Sequence, residues 1–395
     1  MGTVGIICEY NPFHNGHLRQ LRLARERAGE DCALVCLMSG NYVQRGEPAI
    51  FPKQLRTEAA LRCGADLVLE LPLTVALSSA EGFASGGVSI LTALGCDLLC
   101  FGTESENFDA LLRSARANLD PAFDDLLRSE LETGCSYAAA RQRALERLGA
   151  GSGLASPNDI LAVEYLKALL RQESSMEPLP ILRPNTYHAD TLDPEAPSAS
   201  ALRQQICRDK RCLSLRPSAQ WFSAVPEALH ALHEAAPLHS WEAGERAVLA
   251  RVRTLSDEDF RALPFGSEGL WSKLMKACRA CVSTEEILEL VKSKRYSMTR
   301  VRRMLLCAFL GLTKADLEAP APYVRILGFN QKGRGLLRDL KSRFPLVNAG
   351  ERPADEAYYA LECRAADLYS LFSMSGPRPA GEEERQRVVL ISDQM

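Results

Sequence analysis

A doubly wound α/β domain with a parallel sheet, followed by a mainly helical domain, is the fold class this sequence predicts. Through the first half, short continuous apolar runs alternate with helical patterns, as strands buried on both faces between crossover helices require. From about residue 213 the periodicity turns almost wholly helical, as in Glu285 to Lys292 and Arg300 to Leu310. The 395 residues therefore divide into an α/β domain over 1–210, a helical domain over 211–375 and a mobile tail over 376–395, which opens Gly376-Pro377-Arg378-Pro379.

The elements follow in order. Val4 to Glu9 reads as a strand and Leu18 to Ala28 as a helix, with Ala33 to Met38 the second strand. Gln54 to Cys63 is a helix stopped by Gly64, and Asp66 to Leu71 a third strand closed by Pro72. Ser79 to Leu94 is a helix stopped by Gly95, before a fourth strand over Asp97 to Phe101. Helical segments fill Phe108 to Arg147, and a Gly/Ser-rich stretch follows at 149–153. Leu179 to Arg183 is a fifth strand candidate, and a Pro/Asp/Ser-rich loop over 184–200 leads into a helix near Ser198. Ligands of such folds bind beyond the carboxyl ends of the strands.

Composition narrows the class. At 46% hydrophobic and 25% charged, the chain has ample material for a core. No apolar run reaches the length of a membrane span, and the N-terminus lacks a basic, cleavable leader, so a cytoplasmic location is expected. A net charge of -3 means that any nucleic-acid contact must come from a local patch. The 13 cysteines include Cys36 and Cys100 inside apolar strands, where they act as small hydrophobes. A lone Cys278-Arg279-Ala280-Cys281 lacks the second ligand pair of a zinc site, and no metal site is expected.

The chemistry concentrates in Ile7-Cys8-Glu9-Tyr10-Asn11-Pro12-Phe13-His14-Asn15-Gly16-His17-Leu18-Arg19-Gln20, just after the first strand and opening the first helix. Two of only 6 histidines fall here, three apart at a helix start. Two imidazole donors beside a helix N-terminus suit a transition state that builds charge on an α-phosphate and a departing pyrophosphate, making His14 and His17 the catalytic candidates. Gly102, with Thr103 and Glu104, follows the fourth strand at the same sheet edge. Ser198, Ser200 and Arg203 offer hydroxyls and a cation at a helix start, a composition shared by phosphate clamps and by ordinary serine-capped helices. The loop from Ser39 and Gly40 through Gln44 and Arg45 is too polar for a plain connector and is a substrate-loop candidate. Asp66, opening the third strand, either binds a substrate group or caps its turn.

At these residues the sequence resembles a known family. The His14-Asn15-Gly16-His17 motif is similar to the HxGH signature of the nucleotidylyltransferases, a Rossmann-like superfamily. Glu9 to His17, Gln44-Arg45-Gly46-Glu47-Pro48, Leu69-Glu70-Leu71-Pro72 and Pro157-Asn158 together resemble the tRNA(Met) cytidine acetate ligase family. So do Lys294-Arg295-Tyr296, Thr299 to Arg303 and Arg325 to Asn330 with Lys332-Gly333, carrying the match to about residue 345. The resemblance implies ATP as co-substrate with Mg2+, acetate activated as acetyl-adenylate, and transfer to N4 of the wobble cytidine of elongator tRNA(Met). It carries ATP contacts onto Ile7 through Gln20, Gly102, Asn158 and Arg183. One departure stands in the late serine motif around Pro197, Ser200 and Ala201, where an expected hydroxyl is absent.

Basic residues crowd the second half. Lys294, Arg295, Arg300, Arg302 and Arg303, with Lys332 and Arg334 beyond, flank Tyr296 and Phe329 and form the expected tRNA-binding surface. Acidic Glu285, Glu286 and Glu289 nearby make a solvated, self-paired face the competing reading. Two other functions compete: adenylylation of a small phosphorylated metabolite, and a non-enzymatic RNA-binding protein on a degenerate nucleotide fold.

Overall fold

The computed structural model describes residues 2–151, 156–183, 197–211 and 219–392, so the loop over 184–196 lies outside the described residues. Five parallel strands form the expected unit: β1 (Thr3–Cys8), β2 (Ala33–Ser39), β5 (Leu67–Leu71), β6 (Leu98–Thr103) and β7 (Glu177–Leu182). Their order is β5-β2-β1-β6-β7, so the chain reverses its direction of travel across the sheet at β1. Alternate residues bury on opposite faces, as the two-residue period demands. Val4, Ile6, Leu34 and Cys36 pack toward α1 (Asn15–Ala28) and α2 (Lys53–Arg62). Val35, Leu37 and Leu99 pack toward α4 (Ala80–Leu94), after the short α3 (Leu73–Ala76), and toward the helix Pro157–Arg171. The observed helix starts lie within three residues of the expected ones, and Ser79 caps α4 through the Gly82 N–H at 3.2 Å.

A single cut near residue 210 does not describe the molecule. β8 (Val324–Phe329) pairs antiparallel with β5, while β9 (Leu346–Asn348) and β10 (Val389–Leu390) pair with β8. The second half thus completes the sheet that the first half begins, and among the described residues only the stretch 219–318 of it has helices as its sole named elements before β8. The helices of this region bury their own cluster, including Phe260, Leu274, Leu305 and Phe309. Two short strands, β3 (Tyr42–Val43) and β4 (Glu47–Pro48), form a hairpin over the carboxyl edge.

The expectation of a loosely packed tail is also corrected for residues 381–390. Glu383 is 1% exposed and bonds Lys53 at 2.8 Å and Arg325 at 3.2 Å. Sequence composition hides such a contact, because a Gly/Pro/Glu-rich segment ordered by distant partners reads like a disordered one. Among the described residues, the cysteines are free thiols and no helix is long and apolar enough to cross a membrane.

Candidate functional site

Beyond the carboxyl ends of β1 and β6, at the point where strand order reverses, lies a cavity of about 720 Å³. It takes in Ile7, Cys8, Glu9, Tyr10, Asn11, His14, Gly16, His17, Arg19 and Gln20 from the first motif. Gln44 and Arg45 come from the β3–β4 turn, Gly102 and Glu104 from the end of β6, and Asn158 and Arg183 from the far wall. Ser198, Ser200 and Arg203 enter from the start of the helix Ala199–Arg211. Residues far apart in sequence therefore converge on one volume.

Local chemistry sets the histidines. His14 is the N-cap of α1, and its Nδ1 accepts the Gly16 N–H at 3.1 Å. The Nδ1 of His17 accepts the backbone N–H of His14 at 3.3 Å, and the two rings stack 3.7 Å apart. Burial, reinforced by the Arg183 and Arg203 guanidiniums, holds the His14 ring down at about 3. Burial and the neighbouring His14 hold His17 well below its ordinary range. Both rings are consequently neutral at pH 7. With each Nδ1 accepting, the single proton of each ring sits on Nε2. The result is a pair of neutral N–H donors at the positive end of a helix, a pre-set cradle for developing negative charge.

Around them, Arg203 donates to the Asn11 carbonyl at 2.8 Å and to Ser200 Oγ at 3.3 Å. Ser198 caps its helix, as an ordinary serine would, while also lining the cavity. Arg183 bonds the Asn158 amide oxygen at 3.1 Å, and Gly102 admits it: a Cβ there would meet Arg183 Cδ at 3.3 Å. Beneath the floor, the fully buried Arg56 donates to the carbonyls of Glu9 (2.6 Å), Ser39 (3.0 Å), Gly40 and Phe51 (3.0 Å). It locks the ends of β1 and β2 together and has no carboxylate partner among the described residues.

Several expected site residues do other work. Asp66 sits at the amino end of β5, opposite the cavity, where it pairs with Arg25 at 2.8 Å and accepts the Leu34 N–H at 2.8 Å. Its remaining oxygen accepts the Asn330 side-chain amide at 2.9 Å, so its contacts tie β2, α1 and the end of β8 together. Ser39 and Gly40 lie outside the cavity lining; a side chain at Gly40 would overlap Glu70. Pro12, Phe13, Asn15 and Leu18 also lie outside it: Phe13 is core, and Asn15 donates to the Ser223 carbonyl at 2.9 Å.

The basic residues divide. Arg303 is 8% exposed, stacks on Phe265 at 5.0 Å and reaches the Gln44 carbonyl at 3.3 Å, so it is a packing residue. Arg302 pairs with Glu47, and Arg300 bonds the Phe265 carbonyl and Ser267 Oγ, each at 2.8 Å. Arg295 pairs with Glu268 at 3.0 Å, and Lys294 is exposed. Lys332 bonds the carbonyls of Glu30 and Cys32, both at 3.3 Å, ahead of β2, which puts it and the neighbouring Arg334 at the sheet edge away from the cavity.

Sequence reasoning missed the apolar walls: Phe83 and Tyr165 line the cavity from α4 and the helix Pro157–Arg171. Both are nearly buried, so their pattern is that of any core-facing helix residue and carries no site signal. Among the described residues, no group of three or more His, Cys, Asp or Glu side chains could hold a metal ion.

Residues 1–384 match the family model described as HIGH Nucleotidyl Transferase. A tRNA(Met) cytidine acetate ligase of Acetivibrio thermocellus is 36% identical, the alignment covering 99% of this chain and 100% of that one. One of a Geobacillus species is 35% identical over 96% of each chain. The crystal structure of Thermotoga maritima TmcAL in its apo form superposes with a TM-score of 0.89 at 31% identity, covering 99% of this chain and 100% of that chain. The same protein bound with alpha-thio ATP gives 0.86 with the same coverage.

Proposed function

Since this chain belongs to the HIGH nucleotidyl transferase family, and within it to the tRNA(Met) cytidine acetate ligases, we propose that it uses ATP to acetylate the wobble cytidine of elongator tRNA(Met) at N4. The carrying observation is the stacked pair of neutral histidines, each presenting an Nε2–H donor to a nucleotide-sized cavity. Acetate is a poor acyl donor because oxide would have to leave. Adenylation gives it AMP as leaving group, and the exocyclic amine then attacks the acetyl carbon.

No covalent enzyme nucleophile is needed. His14 and His17 stabilise the charge on the α-phosphate and departing pyrophosphate, while Arg203, Ser198 and Ser200 hold the distal phosphates. Asn158, Arg183 and Gly102 form the opposite wall against the nucleoside. The carboxylates of the cavity are dispersed, so Mg2+ would be held chiefly by the phosphates of ATP. The surface from Lys294 to Arg302 takes the tRNA backbone.

Two measurements test this reading. Acetate-dependent ATP–pyrophosphate exchange should proceed without tRNA, and mass spectrometry should find one labelled acetyl group on elongator tRNA(Met) incubated with ATP and labelled acetate. An adenylylated small metabolite with no tRNA requirement would establish the competing transferase reading.

A further inference from the structure

Three carboxylates line the cavity: Glu9, Glu47 and Glu104. Glu47 is held between Arg302 and Arg203, the latter at 3.9 Å. Glu104 accepts the Asn158 side-chain amide, beside Arg183 on the nucleoside wall. Glu9 differs from both. Its Oε1 accepts the Gln44 N–H at 2.8 Å, and no ion pair or second hydrogen bond engages Oε2 among the described residues. Burial raises its proton affinity, against the Gln44 hydrogen bond and the cations of Arg203, Arg45 and Arg56. A carboxylate of this kind repels a triphosphate, so ATP binding alone gives no reason for it.

Its placement does give a reason. Glu9 directly follows β1, its carbonyl gripped by Arg56, and Tyr10 turns the chain away at a φ of 46°. The wall facing it is the β3–β4 turn, and that turn touches the helical region directly. A Cβ on Gly46 would meet the backbone N of Arg303 at 2.5 Å, in the helix Met298–Leu310. Glu9 therefore lies between the phosphate-binding histidines and the side of the cavity on which the helical region closes.

Resting on the function proposed above, we infer that Glu9 is the general base of acetyl transfer, taking the N4 proton of the acceptor cytidine. The cytidine amine is a weak nucleophile because its lone pair is shared with the ring. As N4 attacks the acetyl carbon, the new C–N bond forms, the C–O bond to AMP breaks, and the N4 proton passes to Glu9 Oε2. AMP leaves with the bond electrons, and Glu9 later releases its proton to water. A buried carboxylate is a stronger base than an exposed one, as this step requires.

The test is Glu9→Gln, which keeps an oxygen for the Gln44 N–H and removes the base. Three rates are read on the full-length protein: acetate-dependent ATP–pyrophosphate exchange, acetohydroxamate formation with hydroxylamine, and single-turnover acetyl transfer to tRNA(Met). Transfer should fall by about 10²–10⁴, the usual range for a lost general base, and by at least about tenfold more than exchange and hydroxamate formation, whatever part Glu9 has in ATP contact. The acid limb of the wild-type transfer rate should vanish in the variant. Equal loss of exchange and transfer would overturn the assignment, placing Glu9 in adenylation, and so would unchanged transfer. Should Glu9→Gln not fold, Glu9→Asp serves: reduced transfer with the acid limb retained supports the base, and full transfer refutes it. Absence of wild-type exchange and hydroxamate would instead defeat the function proposed above.

Discussion

At the carboxyl end of β1, His14 is buried and His17 half-buried, and among the described residues neither spends its Nε2 donor, whereas between β5 and β8 a set of buried charges is consumed internally. There Lys53 Nζ lies 2.7 Å from Glu70 and 2.8 Å from Glu383, and Arg325 lies 2.8 Å from Glu362. Tyr323 donates to the same Glu362 oxygen at 2.6 Å. Burial, with the neighbouring Glu70 carboxylate, pushes Glu362 up to about 7. Burial alone would lower Lys53, but Glu383 and Glu70 outweigh it and raise the ammonium above its ordinary range. The two regions share a sheet and a degree of burial; they differ in whether polar groups end on one another or on nothing. Closed networks join segments, here α2, β5, β8, the helix Glu356–Ser370 and the tail. Open ones await a ligand.

The largest effect expected is on stability, at the closed network. Lys53→Met strands Glu70 and Glu383 with one cation fewer and should cost about 3–5 kcal/mol, the range for breaking a buried pair. Chemical denaturation measures this; a loss under about 1 kcal/mol would mean that the network is not closed as described.

Next in size is catalysis at the open pair. His14→Asn retains an N-cap and so should keep the folding stability, yet lower turnover by about 10²–10³, the scale for one lost oxyanion-type donor. His17→Ala should match it in turnover. Near-normal turnover in both variants would remove the pair from the mechanism and erase the contrast between regions.

Third comes pH. His233 is buried, stacks on Phe51 at 4.8 Å and has no partner for either ring nitrogen among the described residues. Burial, with the nearby His230, holds it at about 4, against an ordinary 6.5. The unfolded chain takes the proton first, so the stability His233 contributes is whole above pH 6.5 and is lost as pH falls toward 4. His233→Phe should therefore gain about 1.4 kcal/mol on the wild type between pH 7.5 and 5.5. An equal acid loss in both proteins would refute the assignment.

The smallest effect separates two neighbouring arginines. Arg302→Ala breaks a half-exposed pair with Glu47 and should cost at most about 1 kcal/mol, while flattening the salt slope of tRNA binding by roughly 0.7–0.9. Arg303→Ala should leave that slope alone and lower the melting temperature. Identical slopes in both variants would move the tRNA surface off this helix.

Much of this was legible from sequence. Strand–helix alternation fixed the five-stranded parallel unit, because strands buried on both faces must be continuously apolar, as Ala33 to Met38 is. The histidine motif announced its own chemistry, because strand, turn and helix start lie within one short segment. Tertiary structure alone decided what depended on distant partners. Asp66 turned to Arg25 and the Leu34 amide, on the side of the sheet away from the cavity, because folding brings both to it. Glu383 orders a polar tail because Lys53 and Arg325, far away in sequence, both reach its carboxylate. β8 joined the sheet antiparallel, setting Arg325 across from Glu70, a pairing that periodicity within either segment cannot register. Local physics acts over a few residues and is written in order along the chain; compensation of a buried charge acts over a few ångströms between residues hundreds apart, and only folding brings them within that range.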